Sequence, residues 1–317
     1  MQKSSLGILA VAAAAIFLCG AAPTNAPPEW AYPLNAKAPE AAKPSTAKLT
    51  VPGSRVTVTT VRDFFNPPDW FPEAHPKMPD VVAYGRKPGV FACSFCHMAN
   101  GQGRPENASL AGQPIAYIIE QVNEIREGRR RSAQPKMVSP NKMLEVAKGV
   151  SPSDLKAAAA YFSALKYTSR IRVVESATVP KTFVGGVSLW AVLPGNAREP
   201  IGERIVEVPE DFKLTELRDP ESGFVAYVPP GSIKRGETLT HQGNGALPCT
   251  TCHGASFKGG IGPALAGRSP SYLFRQLFDI KAGTRKGPAV VQMQPEVAHL
   301  NNADMIAIVA YLASLRT

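Results

Sequence analysis

The chain has 317 residues, more than one compact domain usually needs, so two globular units plus connecting material are expected. A hydrophobic fraction of 44% is that of a folded protein, and 30 prolines with 26 glycines exclude continuous helix or sheet in favour of long irregular stretches. The formal net charge of +10 fits a solvated surface, or steering towards acidic partner proteins or anionic headgroups; in an exported chain it is not read as nucleic-acid binding.

Export is read from the N-terminus. Lys3 precedes an apolar run from Leu6 to Leu18 and the small-residue stretch Cys19-Gly20-Ala21-Ala22, the pattern of a bacterial secretory signal over residues 1–21, cleaved after Ala21. Periplasmic location follows. An uncleaved anchor and lipidation of Cys19 stand as alternatives, which leaves peripheral membrane association open. Residues 22–80 form a Pro-rich N-terminal extension whose beginning has the composition of a disordered leader. Its aromatic cluster of Phe64, Phe65, Trp70 and Phe71 is too apolar for a solvated tail and is expected to dock on a folded domain.

Of five cysteines, Cys19 leaves with the signal and the other four lie in two short clusters, so no thiol remains for a structural disulfide. The clusters are Cys93-Ser94-Phe95-Cys96-His97 and Cys249-Thr250-Thr251-Cys252-His253. Both contain C-x-x-C-H, the attachment signature of c-type haem. Cysteines three apart lie on one side of a helical turn, where their sulfurs can bond the two vinyl groups on one porphyrin edge, and the adjacent histidine falls over the iron. A shared zinc site is excluded because the pairs lie far beyond the roughly 15–20 residues that separate them in common zinc modules. A thioredoxin-like dithiol is disfavoured because no βαβ pattern surrounds either cluster.

Each cluster opens a similar stretch, which makes an internal duplication. The first copy, residues 81–166, continues with Leu110-Ala111-Gly112, Tyr117 to Gln121, Gly128-Arg129 and Ala160-Tyr161 to Leu165. The second, residues 232–317, continues with Leu265-Ala266-Gly267, Tyr272 to Gln276, Gly283-Thr284-Arg285 and Ala310-Tyr311 to Leu315. Both closing helices are legible: Ser151-Pro152-Ser153-Asp154 and Asn301-Asn302-Ala303-Asp304 are helix starts, and each is followed by an apolar stripe at helical spacing. Between the copies, residues 167–231 form a connector with β-like segments at Ile171 to Val174, Val187 to Val192, Arg204 to Val208 and Phe224 to Val228. It is read as a small sheet clamping the domains, with a partner-docking surface as the alternative.

A sixth iron ligand is still required opposite each histidine, and soft thioether sulfur favours the reduced metal. Met143 and Met293 stand at equivalent places, each in a loop ahead of its closing helix, and the repetition argues against core filler. Met137 competes with Met143. His75, His241 and His299 recur at no equivalent positions and are read as surface or packing residues.

In this order, and in both halves, these motifs resemble cytochrome c4, a family of dihaem class I cytochromes of bacterial periplasms. The resemblance implies a mainly α fold: two cytochrome c-like helical haem domains joined by an irregular, β-containing connector, with an N-terminal extension. It implies thioether attachment at Cys93, Cys96, Cys249 and Cys252, proximal ligands at His97 and His253, and distal ligands at Met143 and Met293, for two haem c groups. It also implies a proline carbonyl that orients the proximal imidazole; Pro263 fits, whereas Ala108 occupies the matching place in the first copy.

The expected function is electron transfer between redox proteins, a donor and an acceptor such as a dehydrogenase or an oxidase, with no enzyme activity of its own because both axial positions are filled. Two alternatives are a dihaem cytochrome c peroxidase-like enzyme, which needs an open iron site, and the haem subunit of a dehydrogenase complex.

Overall fold

A computed structural model describes residues 26–35, 46–243 and 245–317. The signal segment, residues 1–21, and Cys19 lie outside the described residues.

The first copy carries α1 (Asp80–Ala83), α2 (Cys93–His97), α3 (Ile115–Arg126), α4 (Val138–Gly149) and α5 (Pro152–Ala164). The start of α5 is the one its sequence offers: Pro152 opens the helix and the Ser151 hydroxyl accepts the Asp154 amide at 3.1 Å, satisfying a backbone donor that the helix cannot. Its apolar stripe, with Leu155, Ala158, Ala159 and Phe162, then packs on Ile118 and Val122 of α3. These residues and Val81, Val82 and Ala111 make one buried core.

The connector carries β1 (Ile171–Glu175), β2 (Thr178–Pro180), β3 (Thr182–Gly185), β4 (Leu189–Val192), β5 (Arg198–Pro200), β6 (Val206–Pro209), α6 (Phe212–Glu216) and β7 (Phe224–Val228). A three-stranded sheet has the order β1-β7-β6, with β1 parallel and β6 antiparallel to β7. The pairs β2-β5 and β3-β4 are separate antiparallel ribbons. All four segments expected to be extended contain strands; β2, β3 and β5 are additional.

The second copy carries α7 (Ser232–Gln242), α8 (Thr250–His253), α9 (Pro270–Lys281), α10 (Met293–Ala298) and α11 (Asn302–Ser314). Asn301 and Asp304 form a reciprocal capping box at the start of α11. Helix α11 packs against α7 and α9, and Gly236 lets α7 approach: a side-chain carbon there would run into the Ala307 carbonyl. The connector sheet packs on this copy, since Ile205 and Val228 share a core with Phe274, Phe278, Ile306 and Val309.

The N-terminal extension corrects one expectation. Its early part, read as a disordered leader, includes Trp30, Ala31 and Tyr32, which are built into the second copy. The Trp30 and Phe274 rings lie 4.5 Å apart, and the buried Tyr32 donates its hydroxyl to Asp279 at 2.7 Å. Composition over a window of prolines and alanines hid two aromatic anchors. The later aromatic cluster docks as expected: Phe64 lies 4.5 Å from Phe95 and 4.6 Å from Phe91 of the first copy, while Trp70 is 1% exposed and its indole donates to the Leu217 carbonyl at 2.9 Å.

Candidate haem-binding site

The two C-x-x-C-H helices open into one continuous cavity of about 1030 Å³ that runs through both copies. That is at the upper end of the roughly 300–1,000 Å³ of ordinary ligand pockets. Cys93, Cys96 and His97 line one end and Cys249, Cys252 and His253 the other. The walls between are apolar: Ile118, Val122 and Phe162 on the first side, Leu273, Ile308 and Leu312 on the second.

Each histidine is oriented through one ring nitrogen. His97 Nδ1 donates to the Ala108 carbonyl at 2.8 Å and His253 Nδ1 donates to the Pro263 carbonyl at 2.9 Å, which leaves each Nε2 as the free ligating atom. The missing proline in the first copy therefore changes nothing at this contact, because the backbone carbonyl makes it whatever side chain carries it. Gly262 permits a close approach in the second copy, since a Cβ there would come within 2.7 Å of the His253 ring. Burial pushes both imidazoles below their usual value, so they are neutral at neutral pH, the state a metal requires.

The cysteines are not those of a dithiol redox enzyme. Burial pushes the Cys93 thiol up to about 12 and Cys249 up to about 11, opposite to the activation such chemistry needs. None of the four is paired in a disulfide.

Met143 and Met293 both line the cavity. They do not lie in loops as expected: Met143 is inside α4 and Met293 is the first residue of α10. A helix carries the side chain because the polar residues around each one face solvent while the thioether turns inward. Met137, the competitor, is 1% exposed and buried in the core of the second copy, away from the cavity wall. His75, His241 and His299 do not line the cavity; His75 contacts Asp69 and Tyr161, and His241 packs edge-on to Phe257 and Tyr311.

Where the copies meet, the cavity wall becomes polar and nearly two-fold symmetric. Arg130 and Arg285 are antiparallel backbone partners. Arg130 donates to the Tyr272 hydroxyl and the Gln276 carbonyl oxygen, both at 2.8 Å, and Arg285 donates to the Gln121 oxygen at 3.0 Å. Burial pushes the Arg285 guanidinium down, with Arg130 adding to the fall, and its Nε lacks a partner among the described residues. Two adjacent cations and an unpaired donor suit the carboxylates of haem propionates. The apolar walls, paired cysteines and oriented imidazoles suit the rest of the group. Sequence spacing had marked Gly-x-Arg as a repeated motif without assigning it this place; the repetition was the available signal.

Comparison with known proteins agrees. The cytochrome c family pattern matches twice, at residues 82–166 and 233–316. Cytochrome c4 of Pseudomonas aeruginosa is 25% identical over 247 residues, covering 74% of this chain and 89% of that protein. A thiosulfate dehydrogenase electron acceptor of Thiomonas intermedia is 26% identical over 233 residues, covering 72% and 80%. Reduced recombinant cytochrome c4 from Pseudomonas stutzeri has 24% identity, a TM-score of 0.46, and coverage of 71% of this chain and 93% of that one. The chain belongs to the cytochrome c family, as a dihaem member similar to cytochrome c4 with two covalently bound haem c groups.

Proposed function

We propose that this electron-transfer cytochrome works in the periplasm, carrying single electrons between a donor and an acceptor protein, with His97 and Met143 as axial ligands in the first domain and His253 and Met293 in the second. Haem c would supply reversible one-electron chemistry at iron; the chain's own residues would attach it through the cysteines, offer it histidine and methionine ligands and exclude water. The observation that carries the reading is one cavity whose wall offers a histidine and a methionine in each half. With a histidine and a methionine offered to each iron, neither centre would keep an open site for peroxide, which speaks against a peroxidase-like enzyme. The apolar walls limit solvent reorganisation, and the thioethers favour the ferrous state.

Continuity of the cavity supports exchange between the two centres inside the protein. Leu247, 60% exposed, and Ile261, 87% exposed, border the second end of the cavity and offer an apolar contact for a redox partner. No helix among the described residues is long and apolar enough to cross a membrane.

The near-infrared spectrum of the ferric holoprotein tests the ligands. Two His/Met centres give the weak band of that coordination; bis-histidine spectra, or ready turnover of peroxide by the untouched protein, overturn the carrier reading.

A second reading, service as the electron acceptor of one dedicated dehydrogenase, is favoured by the thiosulfate dehydrogenase electron acceptor among the relatives. Isolation of the native protein alone, free of any dehydrogenase, and with no transfer from one, counts against it.

A further inference from the structure

The connector does more than join the domains: it delivers a charge to the first haem motif. Following α6, the chain turns at Arg218, whose φ of 62° lies in the left-handed region that an arginine seldom adopts. The turn is held from several sides. The Arg218 amide donates to the Thr215 carbonyl at 3.0 Å, Trp70 holds the Leu217 carbonyl, and Asn100 donates to the Pro220 carbonyl at 3.3 Å. Thus anchored, the guanidinium lies 3.9 Å from the centre of the ring of Phe95, one of the two residues between the haem-attaching cysteines of the first motif.

Its charge is not cancelled locally. Arg104, the other cation beside Cys96, is paired with Glu106 at 2.5 Å, and Glu216 is paired with Arg62 at 3.1 Å. Arg218 forms no ion pair among the described residues. Burial, with Arg104 adding to the effect, pushes its guanidinium down only to about 10, so it remains protonated at neutral pH.

The second motif has different surroundings. Gly103 and Gly259 make the same amide contact to the carbonyls of His97 and His253, so Arg104 corresponds to Gly260, and Thr251 stands in place of Phe95. Thr251 therefore offers no ring on which a cation could stack as Arg218 does on Phe95. At this end the carboxylate of Glu296 borders the cavity and has a buried oxygen without a partner among the described residues.

Resting on the dihaem electron-transfer reading, we propose that Arg218 is a positioning residue that raises the reduction potential of the first haem and biases electrons within the protein towards it. A ferric centre that gains an electron loses one unit of positive charge, so a fixed cation nearby, in a medium less polar than water, favours the reduced form. Glu296 acts in the reverse sense on the second centre. The connector thereby adds to the first centre a charge that neither repeated domain supplies.

Potentiometric titration of the full-length holoprotein, resolving two one-electron couples, tests this. Arg218→Gln should lower one midpoint by about tenfold in the reduction equilibrium, ~59 mV for one electron, with the other couple unmoved. Arg218→Lys should restore most of it, and Glu296→Gln should raise the other couple. Arg218→Met keeps the stack on Phe95 without the charge and replaces the glutamine variant if that one loads haem poorly. Unmoved couples in both neutral variants, or a Lys variant that falls as far as they do, overturn the proposal. The near-infrared band separates the two levels: intact His/Met coordination with unmoved couples defeats the charge argument alone, whereas loss of the band in the unaltered protein defeats the ligand reading and leaves the titration readable.

Discussion

The guanidinium of Arg130 donates to the hydroxyl of Tyr272 at 2.8 Å, so a residue of the first haem domain is held by a helix of the second. Arg285 makes the converse contacts to Tyr117 and Gln121. Arg268 adds two more bridges, to the carbonyls of Ser109 at 2.7 Å and Ala111 at 3.0 Å. The interface is polar, specific, and shared with the cavity.

Arg130→Met should therefore loosen the two domains. Hydrogen bonds from a charged donor are worth about 1.5–3 kcal/mol each, and neighbours in one network are not additive, so a net loss of that order is expected for the holoprotein. Both midpoints should also fall as a cation leaves the junction. Urea unfolding and potentiometry read the two effects.

Met143 and Met137 should separate cleanly. Met143→Ala should remove half of the near-infrared band and leave the remaining centre intact. Met137→Ala should keep the whole band yet cost about 2–5 kcal/mol of stability, the usual range for emptying a buried methionine site. A band halved by the Met137 variant would reverse the assignment.

Tyr32 ties the N-terminal extension to the second domain through Asp279, whose Oδ1 also accepts the Ala133 amide at 2.8 Å. Three distant segments meet on one carboxylate. Tyr32→Phe removes one donor from it and should destabilise the protein by about 1–3 kcal/mol, with both haem spectra unchanged. Thermal melting followed at the haem absorption is the measurement.

Docking of the extension on the first domain should weaken with rising pH. The hydrogen bond that His75 Nε2 donates to Asp69 is the main cause holding His75 above its usual 6.5, with burial opposing it, and the Tyr161 hydroxyl lies 3.0 Å from the ring. A raised value in the folded state means that this contribution is complete below about 6.5 and is lost as pH rises through the folded value. Proteolysis of the 46–80 segment should be slower at pH 6 than at pH 8.5, and His75→Gln should abolish the difference.

Much of the site was legible because its chemistry is local. Attachment of haem needs two cysteines and a histidine close along the chain, and five consecutive residues supply them in each copy, as α2 in the first and as α8 with its N-cap Cys249 in the second. The closing helices were equally plain, since the caps at Ser151 and Asn301 and the stripes behind them depend on neighbours three or four positions away. What could not be read depends on partners far along the chain. Trp30 and Tyr32 looked like incidental aromatics in a leader until Phe274 and Asp279 were brought to them. The helical setting of Met143 and Met293 is not legible either, because the residues around them are mostly polar and show no apolar stripe, while in the fold both side chains line the cavity.

By itself, then, the sequence determined that there are two haem motifs, that each belongs to one copy of a repeat, and that a β-containing segment separates them, because spacing and periodicity record what the backbone does locally. Only the tertiary structure decided that Met137 is buried in the opposite domain, that Arg130 and Arg285 meet in one shared cavity, and that Arg218 lies on Phe95. Each of these depends on which surfaces are buried together, and burial joins residues that no local pattern connects.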